Sequence, residues 1–382
     1  MNNKENKRVI TVLSLASLLH DIGSDMVFSV WPIFVTSILG ANMTVLGFID
    51  GLGDAIVSIS QAVSGYISDK IRKRKIFVLL GYFFGGISRI GYALSPTWQW
   101  LVPFRLLDRS GKIRGAPRDA IISEVSDHKN RGKHFGTLRA MDNLGATVGI
   151  LIALFFFGSL GFNNLFVLAA IPSFIAVFLL LVFIKEPNNG QKIHKGISLK
   201  NTNPNLKLFI LLSAVFSLGS FSYSFLILYA NRSGYPISTT IIFYLIFSLV
   251  AALTSYFFGN LSDQIGRKKV ILISYGFWAA VSLLFIFLNS LAGVVLGFIF
   301  YGLHKAALDP VQKTFVAELA QKDYLASTLG GFQMIIGLFA LPASLMAGFL
   351  WDRFGSTVPF YLSLFLTMTS SLLLLFVREK AS

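Results

Sequence analysis

Apolar runs long enough to cross a lipid bilayer recur about every 30 residues from one end of the chain to the other. Lipid offers no hydrogen-bond partners to the backbone, and barrel strands would alternate polar and apolar residues, so each run is expected to form a helix. Only 13% of the residues are charged, too few to cover a water-facing surface. The pattern predicts an all-α membrane protein with twelve transmembrane helices, α1 to α12, at 9–39, 45–68, 76–95, 98–124, 134–158, 164–184, 206–231, 238–261, 270–289, 291–319, 325–350 and 357–377.

The basic residues between these helices are distributed unequally over the two sides. Alternate loops and the two ends hold 22 Lys and Arg residues, whereas the remaining loops hold only Arg232 and Arg353. By the positive-inside rule, this bias predicts a multi-pass protein of the inner (plasma) membrane with both termini in the cytoplasm. The net charge of +15 therefore indicates topology and contact with anionic membrane lipid, and we expect no nucleic-acid partner.

The residue types needed for catalysis or metal binding do not form a recognisable pattern. The chain has no cysteine, which excludes disulfides, thiolate ligands and cysteine nucleophiles. No Ser/His/Asp set, metal-binding cluster or phosphate loop has a familiar spacing. The sequence predicts no enzyme activity, no cofactor and no metal site.

A charged motif occurs once in each half of the chain. It reads GYISDKIRKRK at 65–75 and GNLSDQIGRKK at 259–269, and each copy follows the second helix of its half. Such duplication predicts two pseudo-symmetric six-helix bundles, at 1–184 and 206–382, joined by a polar cytoplasmic linker at 185–205. The glycine permits close helix packing, and the aspartate can accept hydrogen bonds beside the basic run. We expect a cytoplasmic gate formed by Gly65, Asp69, Arg72, Gly259, Asp263 and Arg267.

The motif resembles the signature loop of the major facilitator superfamily, and this resemblance extends over the whole chain. The first copy has Arg72 or Lys73 where the family often has glycine, and the second copy is closer. The resemblance implies two bundles around a central cavity that opens alternately to each side of the membrane.

Charged residues also lie inside the predicted helices. The first half holds seven of the nine bases and seven of the eight aspartates. The bases are Arg89, Arg105, Arg109, Lys112, Arg114, Arg118, Arg139, Lys305 and Lys313, and the aspartates are Asp21, Asp25, Asp50, Asp54, Asp108, Asp119, Asp142 and Asp309. A base at the bilayer centre costs about 2.5–3.5 kcal/mol, so these groups are expected to face one another or water. The lopsided distribution predicts that the first half handles protons.

Helix α4 carries most of this charge. Arg105, Asp108, Lys112, Gly115 and Asp119 share one stripe at helical spacing, and Pro117 with two glycines permits a break. The segment Arg105–Gly111 resembles the α4 motif of drug–proton antiporters, and His20-Asp21-x-x-x-Asp25 resembles their acidic element in α1. Repulsion between aspartates one turn apart favours a shared proton. The proton-coupling residues are predicted to be Asp21, Asp25, Arg105, Asp108, Arg109, Lys112 and Asp142.

The second half is rich in aromatic residues and has few charges inside its helices. Aromatic walls bind varied apolar compounds because they offer a large contact area with little demand on hydrogen-bond geometry. Packing of the bundle is the alternative role for such residues. The predicted substrate cavity comprises Tyr223, Phe225, Tyr229, Tyr301, His304, Lys305 and Asp309.

Together these patterns favour a monomeric, proton-coupled antiporter that exports small amphipathic or hydrophobic molecules, as in multidrug efflux. One alternative is a carrier of organic or phosphorylated anions that uses the intramembrane Arg and Lys. Against it, seven aspartates balance the seven bases of the first half, and an anion carrier should have a positive cavity. Another alternative is a membrane sensor that has lost transport.

Overall fold

The computed structural model describes residues 3–71, 73–126, 130–184, 204–321 and 325–379. Within these ranges the regular structure is entirely helical, which confirms the predicted fold class. The helices are α1 (Asn3–Phe28), α2 (Met43–Ile71), α3 (Lys75–Leu94), α4 (Trp98–Ser110 and Gly115–Val125), α5 and α6 (together Arg131–Phe183), α7 (Pro204–Gly219 and Ser224–Arg232), α8 (Ile237–Ile265), α9 (Arg267–Phe287), α10 (Leu291–Leu319), α11 (Leu325–Phe354) and α12 (Val358–Leu375).

Helix α1 ends earlier than the sequence predicts. Its regular part stops at Phe28, and a short helix at Trp31–Ile33 and a π-helical turn at Phe34–Ile38 complete the predicted segment. Pro32 has no backbone N–H, so it cannot continue the hydrogen-bond pattern to the carbonyl of Phe28. The proline therefore accounts for the interruption.

Helices α5 and α6 follow each other without a loop. Gly161 interrupts the helical geometry with φ of +66° and ψ of −172°, so the 53-residue element kinks there. Only glycine adopts this backbone conformation without steric cost. One continuous element thus supplies two of the predicted membrane crossings.

Ten helices in the described residues are long and apolar enough to cross a membrane. One of them, Gly132–Phe183, is long enough for two crossings and contains the kink at Gly161. Helix α4 is not one of the ten, because a 3₁₀ turn at Gly111–Arg114 divides it into two shorter helices, and together these supply the remaining predicted crossing. The twelve predicted helices are all accounted for, and the chain is a multi-pass membrane protein.

The chain divides into two compact units. The first unit contains the residues up to Phe34, Ile38–Gly40 and the rest of the N-terminal half from Ile56, while the second contains Val35–Ser37, Ala41–Ala55 and the C-terminal half. The start of α2 is therefore grouped with the second unit. The predicted linker at 185–205 lies almost wholly outside the described residues, so the predicted domain boundaries remain a prediction.

The first unit is built on close contact between α1 and α5. A Cβ on Gly145 would collide with the carbonyl oxygen of Leu18, and one on Gly149 would collide with that of Ile22. The two glycines, four residues apart, thus let the two backbones touch. Beside them lies an apolar core from α1, α3, α4, α5 and α6 that includes Leu13, Ala16, Tyr82, Ile122, Leu138, Ala176 and Leu180.

The second unit has an aromatic core. Trp278 is fully buried, and its ring centroid lies 5.7 Å from that of Phe221 and 5.5 Å from that of Tyr301. Large apolar side chains elsewhere are strongly exposed, including Leu253 at 78% and Tyr256 at 80%. Exposure of this extent suits a surface that lipid covers.

Candidate functional site

A polar cavity of about 170 Å³ lies inside the first unit, between α1 and α4. Three carboxylates, three basic side chains and a histidine line it, together with Ser24 and Phe28. The charged lining brings together five of the seven residues predicted for proton coupling and adds two that were not. The charged and titratable lining residues are His20, Asp21, Asp25, Asp108, Arg109, Lys112 and Arg114.

The break in α4 places its charged residues at this cavity. Gly111 and Gly81 of α3 approach so closely that a Cβ on Gly111 would lie 2.7 Å from the Gly81 carbonyl oxygen. The 3₁₀ turn starts at Gly111, and the Arg114 guanidinium donates to the Gly111 carbonyl at 3.0 Å and lies 5.0 Å from the centre of the Tyr82 ring. The expected break is thus observed, but it precedes Pro117.

Arg105 and Arg109 lie against aromatic rings of the first unit. The Arg105 guanidinium is 4.3 Å from the centre of the Trp31 ring, and that of Arg109 is 4.7 Å from the centre of the Phe28 ring. The Nε atom of Arg109 is also 3.9 Å from Asp108 Oδ2. Cation–π contact holds a guanidinium in an apolar setting while leaving it able to attract a carboxylate. Arg105 is 2% exposed and is not among the residues that line the cavity.

Asp142 on α5 belongs to a neighbouring ionic cluster. Its carboxylate accepts a short hydrogen bond from Ser17 and lies 3.8 Å from Arg118 Nη1 and 3.2 Å from Arg139 Nη1. Arg118 also donates to Ser17 Oγ at 2.7 Å and pairs with Asp119 at 3.1 Å. Asp142 does not line the cavity, but it interacts electrostatically with Asp21, which does.

A buried arginine on α3 lies behind the cavity wall. Arg89 is 1% exposed, and its Nη1 donates to the Ala169 carbonyl at 2.8 Å and to Ser173 Oγ at 2.5 Å. Its Nη2 donates to the His20 carbonyl at 3.1 Å and to Ser24 Oγ at 2.8 Å. Two residues that line the cavity are therefore bonded to Arg89. The sequence indicated only that Arg89 and His20 lie inside predicted helices and gave no sign that they contact each other.

A buried carboxylate from α2 organises the interruption of α7 in the second unit. Asp50 is 2% exposed and accepts hydrogen bonds from Ser222 Oγ at 2.8 Å and Ser224 Oγ at 2.5 Å. The backbone of the interrupted segment is also fixed by Ser344, whose Oγ accepts from the Ser222 N–H at 3.3 Å. The sequence identified Asp50 as a membrane-embedded acid but gave no partner for it.

The aromatic residues predicted for the substrate cavity pack within the second unit. The ring centroid of Tyr223 lies 5.2 Å from that of Tyr244. Phe225 is 0% exposed and packs on Phe221, which lies 5.1 Å away between centroids. The other two, Tyr229 and Tyr301, are 6% and 5% exposed, with ring centroids 4.8 Å from those of Phe285 and Phe247 respectively.

The polar residues predicted for the same cavity lie along α10. Lys305 Nζ and Asp309 Oδ1 are 3.7 Å apart, one helical turn from each other, and both side chains are partly exposed. His304 is fully buried, and its Nδ1 lies 2.9 Å from the Ser274 carbonyl oxygen. Asp54 of the second unit interacts electrostatically with Lys305. The assignment of these residues to a substrate cavity remains a prediction.

The second copy of the charged motif forms an ionic cluster. Arg267 pairs with Asp263 one turn earlier, and its Nε lies 3.0 Å from Glu318 Oε1. Gly266 has φ of +99° and lets α9 start directly after α8. A Cβ on Gly259 would meet no atom within 4 Å.

In the first copy, a Cβ on Gly65 would lie 3.3 Å from the Cβ of Ala116. Arg72 and the side chain of Asp69 lie outside the part of the chain that the structure describes. The role of the two motif copies as a gate therefore stays a prediction.

The structure revises the charge balance expected for the first half. Asp50 and Asp54 belong to the second unit, so the first unit keeps five membrane-embedded aspartates against seven bases. The lining of the cavity itself is balanced, with three of each sign. Among the described residues, no group of His, Asp and Glu is arranged to hold a metal ion.

Comparison with known proteins identifies relatives over almost the whole chain. The sequence profile of the Major Facilitator Superfamily (MFS) matches residues 13–253 and 209–382. An uncharacterized MFS-type transporter of Methanocaldococcus jannaschii is 40% identical over 388 residues, covering 98% of this chain and 96% of that protein. The multi-drug resistance efflux pump PmrA of Streptococcus pneumoniae (strain TIGR4) is 25% identical and covers 94% of this chain and 93% of its own length. The crystal structure of the nucleoside transporter NupG matches with a TM-score of 0.75 at 16% identity, covering 96% of this chain and 97% of that one, a likeness of fold.

Proposed function

Since this chain belongs to the Major Facilitator Superfamily and is a membrane transporter rather than an enzyme, we propose that it is a proton-coupled antiporter that exports small amphipathic or hydrophobic compounds. The observation that carries the proposal is the cavity in which Asp21, Asp25 and Asp108 meet three basic side chains. The name of the pneumococcal relative, a multi-drug resistance efflux pump, supports the export of varied compounds.

The chemistry of the cavity suits reversible proton binding. An ionised Asp108 attracts the neighbouring Arg109 guanidinium, whereas a protonated Asp108 releases it. Asp21 and Asp25 lie one helical turn apart on α1, so their repulsion favours a proton shared between them. Binding and loss of a proton thereby change the charge that α1 and α4 present to the cavity they share, and a change of this kind can shift the conformational population as transport requires.

In this proposal the second unit provides the wall that selects the substrate. Tyr223, Tyr229 and Tyr301 supply aromatic rings to this wall, and the ion pair of Lys305 with Asp309 lies on the same helix as Tyr301. Aromatic surface tolerates substrates of different shape because it requires little hydrogen-bond geometry. The protein is proposed to work as a monomer in the inner membrane, with both termini in the cytoplasm.

A carrier of organic or phosphorylated anions is the second candidate. The excess of bases over aspartates in the first unit favours it, because a surplus of positive charge attracts an anionic substrate. Arg89, Arg105 and Arg118 contribute to this surplus but do not line the cavity. The balanced lining of the cavity favours the antiporter.

A transport assay with the purified protein in liposomes distinguishes the two candidates. A pH gradient is imposed, and the flux of a panel of cationic dyes is compared with that of a panel of anionic metabolites. The proposal expects flux of the dyes that follows the gradient and stops when an uncoupler collapses it. Gradient-driven flux confined to the anionic metabolites would establish the second candidate, and dye flux that ignores the gradient would refute proton coupling.

A further inference from the structure

The groups that accept hydrogen bonds from Arg89 are neutral. The oxygens that accept from its two terminal nitrogens are the carbonyls of Ala169 and His20 and the hydroxyls of Ser173 and Ser24. A guanidinium does not lose its proton in a protein, so the side chain carries a full positive charge. Hydrogen bonds to neutral oxygens satisfy its donors and hold it in place, but they do not cancel that charge.

Two glycines leave the space that the side chains of Arg89 and His20 occupy. A Cβ on Gly23 of α1 would collide with the Arg89 guanidinium and the Ala169 carbonyl oxygen. A Cβ on Gly85 of α3 would collide with the ring of His20, whose Nδ1 lies 2.9 Å from Ser173 Oγ. The sequence thus leaves space for both side chains, and α1, α3 and α6 meet at one buried point.

The cavity between α1 and α4 is next to this buried point, and two residues belong to both. His20 and Ser24 bond to Arg89 and also line the cavity beside Asp21 and Asp25. The charged and titratable groups that interact with Arg89 include His20 and Asp21 from α1, Tyr92 from α3, and Asp108 and Arg114 from α4. Besides Arg89, the charged groups that interact with Asp21 include Lys112, Arg114 and Arg118 from α4 and Asp142 from α5.

We propose that Arg89 is a positioning residue for proton coupling, which fixes the His20–Ser24 segment and presents a permanent positive charge to the cavity carboxylates so that they release their proton in each cycle. This inference rests on the proposed antiport function. The charge and the hydrogen-bond geometry of Arg89 have separate consequences. The charge sets the pH at which the cavity gains and loses its proton, and the geometry sets how fast the helices rearrange.

Two substitutions separate these consequences. Arg89→Gln removes the charge, whereas Arg89→Lys keeps the charge and loses the forked hydrogen bonds to α1 and α6. The pH of half-maximal proton uptake is measured for each variant with a pH-sensitive dye in weakly buffered detergent solution, without substrate. A unit charge in a site of effective dielectric constant about 20 changes proton affinity by about one pH unit. We expect an upward shift of about that size in Arg89→Gln and none in Arg89→Lys.

A transport measurement in liposomes completes the test. Arg89→Lys is expected to reduce the maximal dye flux about tenfold or more while keeping the parent's pH dependence. If Arg89→Gln does not insert into the membrane, Arg89→Lys still decides, because a shifted titration in that charge-conserving variant overturns the proposal. Equal titration midpoints for Arg89→Gln and the parent also overturn it. Failure of the antiport proposal is recognised separately, because the parent protein would then show dye flux that is insensitive to the pH gradient.

Discussion

The Ser224 hydroxyl donates a 2.5 Å hydrogen bond to the Asp50 carboxylate, and Ser224 is the first residue of the second segment of α7. A carboxylate in this position accepts from hydroxyls and also lies near the positive end of the helix dipole. Ser222 adds a second hydroxyl bond, so the two serines on either side of Tyr223 are both held by one acid from α2. The interrupted segment is therefore stabilised by the charge of Asp50.

Substitution of Asp50 by Asn is expected to loosen this segment without unfolding the protein. A hydrogen bond to a charged group contributes about 1.5–3 kcal/mol, so the loss of charge should speed amide exchange at 219–226 about tenfold. Hydrogen exchange with mass spectrometry on the purified protein measures this. Asp54→Asn is the matched control, because it removes the same charge one turn along α2 and should leave exchange at 219–226 unchanged. Equal exchange in Asp50→Asn and the parent would show that the acid does not stabilise the segment.

The sequence predicts the helices well because membrane crossing is a local property of apolar runs. The interruptions are less predictable, since they depend on what packs against the helix. The break in α4 starts at Gly111, where the backbone of Gly81 leaves no space for a side chain, and Pro117 indicates only that some break is tolerated. Contacts between helices of this kind are not encoded by the periodicity of either helix.

The sequence predicts part of the candidate site, namely most of the charged residues that line it, but not the contacts between helices that hold them. Asp21, Asp25, Asp108, Arg109 and Lys112 meet at one cavity, because charges at membrane depth must turn away from lipid. Charge alone does not specify partners, so the pairing of Arg89 with His20, Ser24 and the α6 oxygens could not be predicted. The grouping of Asp50 with the second unit likewise depends on tertiary contacts.

Asp108→Asn is expected to abolish dye flux driven by a pH gradient while the protein still folds and inserts. The amide has nearly the shape of the carboxyl group but cannot bind and release a proton, so the exchange of contact with Arg109 is lost. Flux in liposomes measures the effect, and size-exclusion chromatography checks the fold. Asp119→Asn, on the same helix but away from the cavity lining, is the control and should retain flux. Robust gradient-driven flux in Asp108→Asn would remove this residue from the mechanism.

The ion pair of Arg118 with Asp142 should show strong coupling in a double-mutant cycle. Removing one member of a buried pair costs about 3–5 kcal/mol because it leaves the other charge buried. Arg118→Met should lower the thermal unfolding temperature more than Asp142→Asn does, since it takes a partner from both Asp142 and Asp119, whereas Asp142→Asn leaves Arg118 its contacts with Asp119 and Ser17. The double variant should be less destabilised than the sum of the single ones. Additive effects on the unfolding temperature would indicate that the pair contributes little.

The two charged motifs are expected to stabilise the cytoplasmic gate. Arg267 keeps Glu318 when Asp263 is changed to Asn, so only the double variant with Glu318→Gln should release it fully. We expect Asp69→Asn to raise the population that is open to the cytoplasm. The double variant of the second motif should raise this population more than Asp263→Asn does alone. Because the chain has no cysteine, a single cysteine can be introduced at the cavity between α1 and α4. Its rate of labelling from the cytoplasmic side reports the population that is open to the cytoplasm. Unchanged labelling with unchanged turnover would reduce the motif to a topology signal.

The proposed division of labour between the two units predicts two classes of variant. Tyr223→Ala and Tyr301→Ala should change which substrates are carried while proton coupling persists, because they remove aromatic surface in the second unit. Asp25→Asn and Arg105→Ala should depress the flux of every substrate alike, because they alter the proton-handling unit. Flux of a substrate panel under one fixed pH gradient, measured for each variant, distinguishes the classes. If the tyrosine variants reduce all substrates uniformly and the Asp25 and Arg105 variants alter selectivity, the assignment of the two units is reversed.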